Sequence, residues 1–217
     1  MRGSGSGSGA GGPGPAVVVD GSGALPAEVA AMLRRVTPHP VIAGPGVADA
    51  AEAALAAGQG SLPRLVAIVR PRAPETHETA VWHRLGTPHL LVTCGPKEAT
   101  VGPLVLPGAT SCTRCHDLVR TELDPAYRAL AGLRLAVGPA RWEATDPGLA
   151  VLTAAVAAVV VADAADGGST LGGVSTDLLA GPPNLAHRFW PRHPRCGCAA
   201  RPGLVPPPTN RPGTMAG

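Results

Sequence analysis

The feature that most constrains the fold of this chain is a set of four cysteines arranged as two close pairs far apart in sequence. The first pair, Cys112 and Cys115, is a C-x-x-C motif in TSCTRCHDL, and the second, Cys196 and Cys198, is a C-x-C motif in HPRCGCAA. Two such pairs are typical of a tetrahedral Zn²⁺ site with four thiolate ligands. Because all four positions are then filled, we expect a structural zinc site that fixes the C-terminal segment to the loop after LPG.

Other interpretations of these cysteines remain open. A redox-active C-x-x-C at a helix start would account for the first pair but leaves the second pair without a role, and the four thiols could also have no ligand. His116 and His193 flank the two pairs, so either could replace a thiolate. Cys94 ends the apolar run HLLVTC, and we expect it to be a buried, inert thiol.

Hydropathy and charge exclude several classes of partner. The N-terminus lacks the apolar core of a signal peptide, and the longest apolar run, LAVLTAAVAAVVVA at 149–162, is shorter than the ~20 residues of a membrane span. We therefore expect a buried helix there, no membrane partner and a cytoplasmic protein, in which disulfides are rare. The net charge is +3, without a basic stripe interleaved with aromatic residues, so we expect no nucleic-acid partner.

Composition separates the two ends of the chain from its centre. Glycine and proline, with 29 and 25 residues in the whole chain, make up half of the two end segments, which offer little apolar surface for burial. Such segments cannot offset the entropy of ordering. We predict disordered tails at 1–15 and 199–217 and one domain over 16–198.

Within that domain, strand and helix patterns alternate. Val17–Val19 predict a first strand, and apolar residues at helical spacing follow it after a glycine turn. The alternation continues through the strands HPVIAG, PRLVAIVR and PHLLVTCG and the helices VADAAEAALAAG and PETHETAVWHRLG. This order predicts an α/β fold with a degenerate Rossmann-like, mainly parallel sheet.

The pattern changes after the fourth strand. The stretch EATVGPLVLPG predicts a bent strand or a strand pair, DPAYRALAGLR a short helix, and the long run that begins DPGLAVL a central helix. Two late strands follow in STLGGVSTDLL and AHRFW. We expect this C-terminal part to be the zinc-fixed part of the fold.

The turn VVVDGSGALP lies where a nucleotide-binding fingerprint would begin. Gly21 and Gly23 fit the first two glycines of that motif, and Ser22 lies between them, but Pro26 replaces the third. The second strand also lacks a terminal acidic residue for a ribose. Both a plain strand–helix turn and a weakened nucleotide site at Gly21, Ser22 and Gly23 remain open.

Several motifs in the second half of the chain carry a family resemblance. VGPLVLPG, CTRCHDL with its Arg-Thr-x-x-Asp-Pro continuation, and HPRCGC resemble the ThiF-like proteins of actinobacterial peptide-maturation clusters. These proteins belong to the superfamily of ubiquitin-activating-type adenylyltransferases and serve thiazole/oxazole-modified microcins as cyclodehydratase-associated or leader-peptide-binding proteins. The resemblance is strong over 81–198 and weak over 16–80.

The resemblance implies a Rossmann-like domain with a structural zinc, whose ligands carry over to the four cysteines of the two pairs. It also implies ATP·Mg²⁺ as cofactor in the active members, which adenylate a C-terminal carboxylate. This chain departs from that pattern at Pro26, in the absence of an acidic D-x-D after HPVIAG, and in the absence of an Arg-Gln helix. We identify no catalytic residue.

The function that follows is an accessory role in ribosomal peptide maturation. We expect the chain to bind a precursor peptide, a cyclodehydratase or both without adenylating, by pairing of a sheet edge with an extended peptide, and homodimerisation is compatible with the family. An active adenylyltransferase with a diverged loop is the alternative. A nicotinamide-dependent oxidoreductase is disfavoured because no acidic ribose clamp follows the second strand.

Overall fold

A computed structural model of the protein describes residues 15–72, 76–127, 129, 145–181 and 184–198. Within these residues the chain forms one seven-stranded sheet in the order β2-β1-β3-β4-β5-β6-β7. The strands are β1 Val17–Asp20, β2 Val41–Gly44, β3 Leu65–Arg70, β4 His89–Cys94, β5 Glu98–Val105, β6 Val174–Leu179 and β7 Asn184–Phe189. The helices are α1 Ala24–Val36, α2 Val47–Ala56, α3 Thr76–Leu85, α4 Thr113–Leu123 and α5 Pro147–Ala165.

The sheet has a parallel half and an antiparallel half. The strands β1 to β4 run parallel, each joined to the next by a helix, whereas β5, β6 and β7 are added antiparallel at one side. The predicted α/β fold with a Rossmann-like sheet is therefore confirmed. The stretch EATVGPLVLPG is one strand, β5, followed by a turn.

Helices cover both faces of the sheet because the parallel strands are apolar on both faces. One core is formed by α1 and α5 against β1 and β3 to β6, with Leu33, Leu90 and Val161 fully buried. The opposite core places α2 and α3 against β1, β3 and β4 around Trp82. Burial of each large apolar side chain stabilises such a core by about 1.5–3 kcal/mol.

The long apolar run predicted as a buried helix is α5. The side chain of Asp146 caps this helix by accepting a hydrogen bond from the Leu149 backbone N–H at 2.9 Å, and Pro147 occupies the first turn. Within the described residues, α5 is the one helix long and apolar enough to cross a membrane, but half of its most apolar stretch is buried inside the protein. Its packing against α1 and the sheet makes it the central helix of the larger core.

Some predictions fall on residues outside this description. The predicted tails at 1–15 and 199–217 lie outside it apart from residue 15, as does most of the predicted short helix DPAYRALAGLR. Asp124, expected to begin that helix, ends α4 while its carboxylate accepts a hydrogen bond from the Ala126 N–H at 2.9 Å. The domain boundaries and these tails therefore stay predictions.

Candidate metal centre

The four cysteines of the two pairs come together at one end of α4. Their Sγ atoms all lie within 4.8 Å of one another, with distances of 3.9 Å between Cys112 and Cys115, 3.4 Å between Cys112 and Cys196, and 3.4 Å between Cys115 and Cys198. A tetrahedral zinc with Zn–S bonds of about 2.3 Å places its sulfurs about 3.8 Å apart. The cluster therefore has the size and ligand set of a site that can hold a metal ion.

The first pair is positioned by the start of α4. Cys112 is the N-cap residue of this helix, with extended backbone dihedral angles, and Cys115 lies in the first turn. A helix N-terminus carries partial positive charge, which favours a thiolate over a thiol. Val105 packs against the pair, so the two sulfurs face an apolar wall at the end of β5.

The second pair lies on a loop that returns to α4 after β7. Gly197 separates the two cysteines with a φ of 56°, a left-handed conformation that glycine adopts without a Cβ penalty. The loop is tied at its start, where the Cys196 N–H donates to the His193 carbonyl at 3.0 Å. This turn lets Cys196 and Cys198 both face the first pair.

Burial and the neighbouring sulfurs shift the pKa values of three thiols in the cluster. Burial raises the pKa of Cys112 and raises the pKa of Cys198 to about 12, and neighbouring sulfurs add to both effects. Burial opposes ionisation of Cys115 as well, but hydrogen bonds, first among them the His193 backbone N–H at 3.3 Å, lower its pKa overall. A divalent cation would offset the mutual repulsion of these sulfurs and release their protons.

The two flanking histidines have other partners. The Nε2 atom of His116 lies 2.9 Å from the Ser111 hydroxyl, and burial lowers the pKa of this imidazole to about 3. The Nε2 atom of His193 lies 3.0 Å from the Oε1 atom of Glu122. Since neither ring belongs to the sulfur cluster, four cysteines form the ligand set that the geometry favours.

An outer shell links α4 to the cysteine loop. Glu122, in the last turn of α4, accepts hydrogen bonds from His193 at 3.0 Å and from the Arg195 guanidinium at 2.6 Å. These two residues precede Cys196, and the His193 backbone N–H also donates to Cys115. This role of Glu122 could not be predicted from the sequence, because its partners His193 and Arg195 are more than 70 positions away along the chain.

A buried tryptophan connects the cluster to the last strand. The Trp190 indole N–H donates to the Ser175 hydroxyl at 2.9 Å, and its ring centroid lies 5.0 Å from that of His116. The guanidinium groups of Arg120 and Arg188 lie 5.0 and 5.5 Å from the ring centroid, within the range of cation–π attraction. The end of β7, the cysteine loop and α4 are thus packed as one unit.

The second candidate site is the glycine-containing loop between β1 and α1. Gly23 is the N-cap of α1 with a φ of 98° and no side-chain hydrogen bond, and Ser22 beside it is exposed. Gly21 is buried: a Cβ atom there would lie 2.6 Å from the Val69 carbonyl oxygen and 2.7 Å from Cγ of Pro26. The proline ring therefore closes the loop onto β3.

An ion pair occupies the end of β1 beside this loop. Asp20 is buried, and its carboxylate accepts hydrogen bonds from the Arg70 guanidinium at 2.5 Å and from the Ala48 N–H at 3.3 Å. Arg70 also donates to the Asp20 carbonyl and to the Glu78 carboxylate, each at 3.0 Å. Burial disfavours the charged guanidinium, but these two carboxylates outweigh it and raise the pKa of Arg70.

The Asp20–Arg70 pair was not predicted, although the sequence shows both charges at the ends of apolar strands. Asp20 and Arg70 are the charged ends of two apolar strands, VVVD and LVAIVR, and β1 and β3 are adjacent and parallel. Opposite charges at the carboxyl ends of neighbouring parallel strands meet at one edge of the sheet. No acidic residue follows β2 before Asp49 of α2, as expected.

Comparisons with known proteins give a fold and no family. No protein-family model matches the chain, and no curated protein matches it in sequence. The heterocyclase TruD has the same fold, with a TM-score of 0.59 and 19% sequence identity, and the match covers 86% of this chain and 27% of TruD. A heterocyclase in complex with substrate and cofactor matches with a TM-score of 0.59 and 18% identity, over 86% of this chain and 25% of that protein. The structure of E. coli MccB with ATP matches with a TM-score of 0.59 and 14% sequence identity, over 87% of this chain and 68% of MccB. The chain thus spans about a quarter of the length of these heterocyclases and has the fold found in both groups.

Proposed function

We propose that this chain is a ThiF-like, zinc-containing accessory protein in the maturation of ribosomal peptides to azole-containing products. It binds a precursor peptide, a partner cyclodehydratase or both, and it does not adenylate. In the chemistry of such systems, a Cys, Ser or Thr side chain closes onto a backbone carbonyl while ATP activates the amide oxygen. An accessory protein supplies a rigid binding platform and needs no acid or base of its own.

The observation that carries the non-adenylating role is the Asp20–Arg70 pair. A phosphate-binding turn uses backbone N–H groups at a helix N-terminus, open to the ligand and free of competing negative charge. Here a buried carboxylate lies at the end of β1, directly before the turn, and its cation is held by three acceptors of Asp20 and Glu78. The ring of Pro26 fills the position next to Gly21. These features favour a structural turn over a nucleotide site.

The cysteine cluster supports the rigid platform. With four thiolates and no open coordination position, zinc would be structural and would supply folding free energy, about 10–16 kcal/mol in small zinc peptides. The cluster joins α4 to the loop after β7, the last described strand. Zinc at this place would fix the antiparallel half of the sheet.

The likeness in fold supports the choice of pathway. TruD is a heterocyclase. One MccB structure contains MccA and the ATP analogue AMPCPP; it shares the fold with a TM-score of 0.57 and 13% identity, over 84% of this chain and 66% of MccB. The chain spans about a quarter of the length of the heterocyclases, so the role proposed for it concerns this α/β region alone.

An active adenylyltransferase is the second candidate, and one feature favours it. Gly23 leaves the N-terminus of α1 without a side-chain cap, so its backbone N–H groups are available to an anion. In this alternative, Gly21, Ser22 and Gly23 hold the phosphates of ATP·Mg²⁺. The MccB structure with ATP shares the fold.

ATP–pyrophosphate exchange separates the two candidates. We expect the purified, metal-loaded chain to show no exchange above a protein-free blank, and calorimetric titration with ATP·Mg²⁺ to show no binding heat. Robust exchange, abolished by Gly23→Val, would replace the accessory role with the adenylyltransferase.

The pathway is tested by co-expression. If a cyclodehydratase and a short Cys-, Ser- or Thr-rich peptide are encoded beside this chain, the three proteins are expressed together and the peptide mass is measured. We expect the loss of one water mass per ring, dependent on this chain. Full ring formation without the chain would contradict the accessory role.

A further inference from the structure

A small cavity lies between α4 and the strands β4 and β5. Its volume is about 40 Å³, which is room for roughly three water molecules or for one small organic group. The sheet and the helix both contribute to its walls, and the lining includes Leu91, Thr93, Pro103, His116, Asp117 and Arg120. The proposed function gives this cavity no role.

Arg120 brings to the cavity a guanidinium group that has no carboxylate partner. It donates to the Tyr127 hydroxyl at 3.3 Å and lies 5.0 Å from the centroid of the Trp190 ring. Among the described residues, no carboxylate forms an ion pair with it. Because a guanidinium has five N–H donors, most of them remain available to an acceptor in the cavity.

His116 adds a second unused polar atom. This residue is 2% exposed, and its Nε2 atom lies 2.9 Å from the Ser111 hydroxyl. Its Nδ1 atom has no hydrogen-bond partner in the part of the chain that the structure describes. When the Ser111 hydroxyl donates to Nε2, Nδ1 carries the proton and is a further donor. Polar atoms of side chains this deeply buried are normally hydrogen-bonded, which indicates a missing acceptor.

The strands contribute one free hydroxyl and an apolar wall. The Thr93 hydroxyl has no hydrogen-bond partner among the described residues. The other two hydroxyls of the lining, those of Thr100 and Thr113, are already hydrogen-bonded within the protein. Leu91 and Pro103 supply apolar surface. A ligand would therefore meet donors on one side and hydrocarbon on the other.

Asp117, the one carboxylate of the lining, already has two donors. Its Oδ2 atom accepts a hydrogen bond from the Thr76 hydroxyl at 2.5 Å, and its Oδ1 atom accepts one from the Tyr127 hydroxyl at 3.4 Å. The acceptor of the cavity is thus engaged, whereas the guanidinium and the imidazole keep unused N–H groups. What the cavity lacks is an acceptor.

We infer that this cavity binds a small aliphatic carboxylate. The two oxygens of a carboxylate match the paired N–H groups of the Arg120 guanidinium. One of these oxygens also accepts from His116 or Thr93, and the short hydrocarbon part lies against Leu91 and Pro103. The inference goes beyond the proposed function and does not depend on it.

The charges of the lining limit the ligand to a single negative charge. Asp117 on the same helix as Arg120 repels a multiply charged anion such as phosphate, and Arg120 repels a cation. A neutral amide of the same size would form a weaker hydrogen bond with the guanidinium than a carboxylate does. Acetate is therefore the probe that fits best in size and charge.

The test uses the full, metal-loaded chain and three probes: acetate, acetamide and inorganic phosphate. Each is titrated at constant ionic strength, and NMR follows the backbone amides, the Arg120 side-chain Nε–H and the His116 ring nitrogens. We expect acetate to saturate at about 1–10 mM, as is reasonable for so few atoms, with shifts confined to the residues around the cavity. Acetamide and phosphate should bind at least about tenfold more weakly.

Variants of the lining locate the bound acetate. Arg120→Met should weaken binding by about tenfold or more, and Arg120→Lys, which keeps the charge without the planar fork, should weaken it less. Thr93→Val removes only a hydroxyl and should weaken binding by about three- to tenfold. Arg114→Met, at an exposed position of the same helix, is the matched control and should leave affinity unchanged.

Circular dichroism and zinc content verify that each variant is folded, and Thr93→Val decides the matter if Arg120→Met does not fold. Three results would overturn the inference. Shifts that do not saturate, or that spread over the surface, would mean an adventitious ion only. Equal binding of acetamide and acetate would mean a polar cavity without preference for a carboxylate. Equal effects of Arg120→Met and Arg114→Met would mean a general effect of charge.

Discussion

The Sγ atoms of Cys112 and Cys196 lie 3.4 Å apart although 84 positions separate the two residues in sequence. Cys112 is the N-cap residue of α4 and Cys196 lies on the loop after β7, so this contact joins α4 to the segment that follows the antiparallel strands. Its energetic weight depends on a metal ion, because buried thiols alone make weak contacts.

Replacing one ligand tests the metal directly. Cys196→Ser should remove most of the bound zinc and lower the free energy of unfolding by more than about 4 kcal/mol, as expected for loss of a structural metal. Cys94→Ser is the matched control, because Cys94 is buried in the larger core away from the cluster. Metal content by mass spectrometry and denaturant unfolding measure both effects. A full zinc complement in Cys196→Ser would contradict the four-cysteine site.

The outer shell should control how tightly the metal is held. Glu122→Ala removes the acceptor shared by His193 and Arg195, and we expect metal affinity to fall by about 10–100-fold. Competition with a chelator measures this affinity without any activity assay. Glu28→Ala, an exposed site on α1, serves as control. Equal chelator resistance in both variants would show that Glu122 is a surface residue only.

His89 predicts a pH dependence of stability. Its side chain is fully buried, its Nδ1–H donates to the Thr87 carbonyl at 3.0 Å, and its Nε2 has no hydrogen-bond partner in the described part of the protein. Burial lowers its pKa from 6.5 to about 4, so the native state resists protonation that the unfolded state accepts. This contribution is complete above pH 6.5 and is lost as the pH falls towards 4, by about 3 kcal/mol.

The variant His89→Asn isolates that contribution. Its unfolding free energy should fall less steeply between pH 6.5 and 4 than that of the wild type, as measured by urea unfolding at each pH. Identical slopes in the variant and the wild type would assign the acid sensitivity to other groups.

The close approach at Gly21 predicts that the turn tolerates no side chain. In Gly21→Ala, the new Cβ would lie 2.6 Å from a backbone oxygen of β3, and we expect a loss of about 1–3 kcal/mol. At Gly95 a Cβ would make an ordinary contact of 3.6 Å with the Glu98 oxygen, so Gly95→Ala is the control. Thermal unfolding distinguishes them. Equal stability of both variants would mean that the turn can open.

The ion pair at the end of β1 should be structural. Arg70→Met leaves the Asp20 carboxylate buried without its cation, a change expected to cost about 3–5 kcal/mol. The double variant with Asp20→Asn should recover part of the loss, because the uncompensated charge is gone. Denaturant unfolding of the single and double variants gives the coupling energy. A double variant less stable than Arg70→Met would show that Asp20 stabilises the fold without Arg70.

The helices and strands with a clear hydrophobic periodicity could be predicted from the sequence, but the order of the strands in the sheet could not. The alternation of β1 to β4 with α1 to α3 follows from apolar runs and glycine turns, and the spacing of the cysteines indicated their meeting. The Asp20–Arg70 pair was not predicted, because the sequence of a strand does not show which strand lies beside it in the sheet. Glu122 was missed because its partners lie on a loop whose path depends on the cysteines themselves.

The position of the cysteine cluster also orders the events of synthesis. The first pair leaves the ribosome long before the second, and only when residue 198 has emerged can all four sulfurs meet. A metal ion held by all four cysteines could therefore be bound only after translation has passed Cys198.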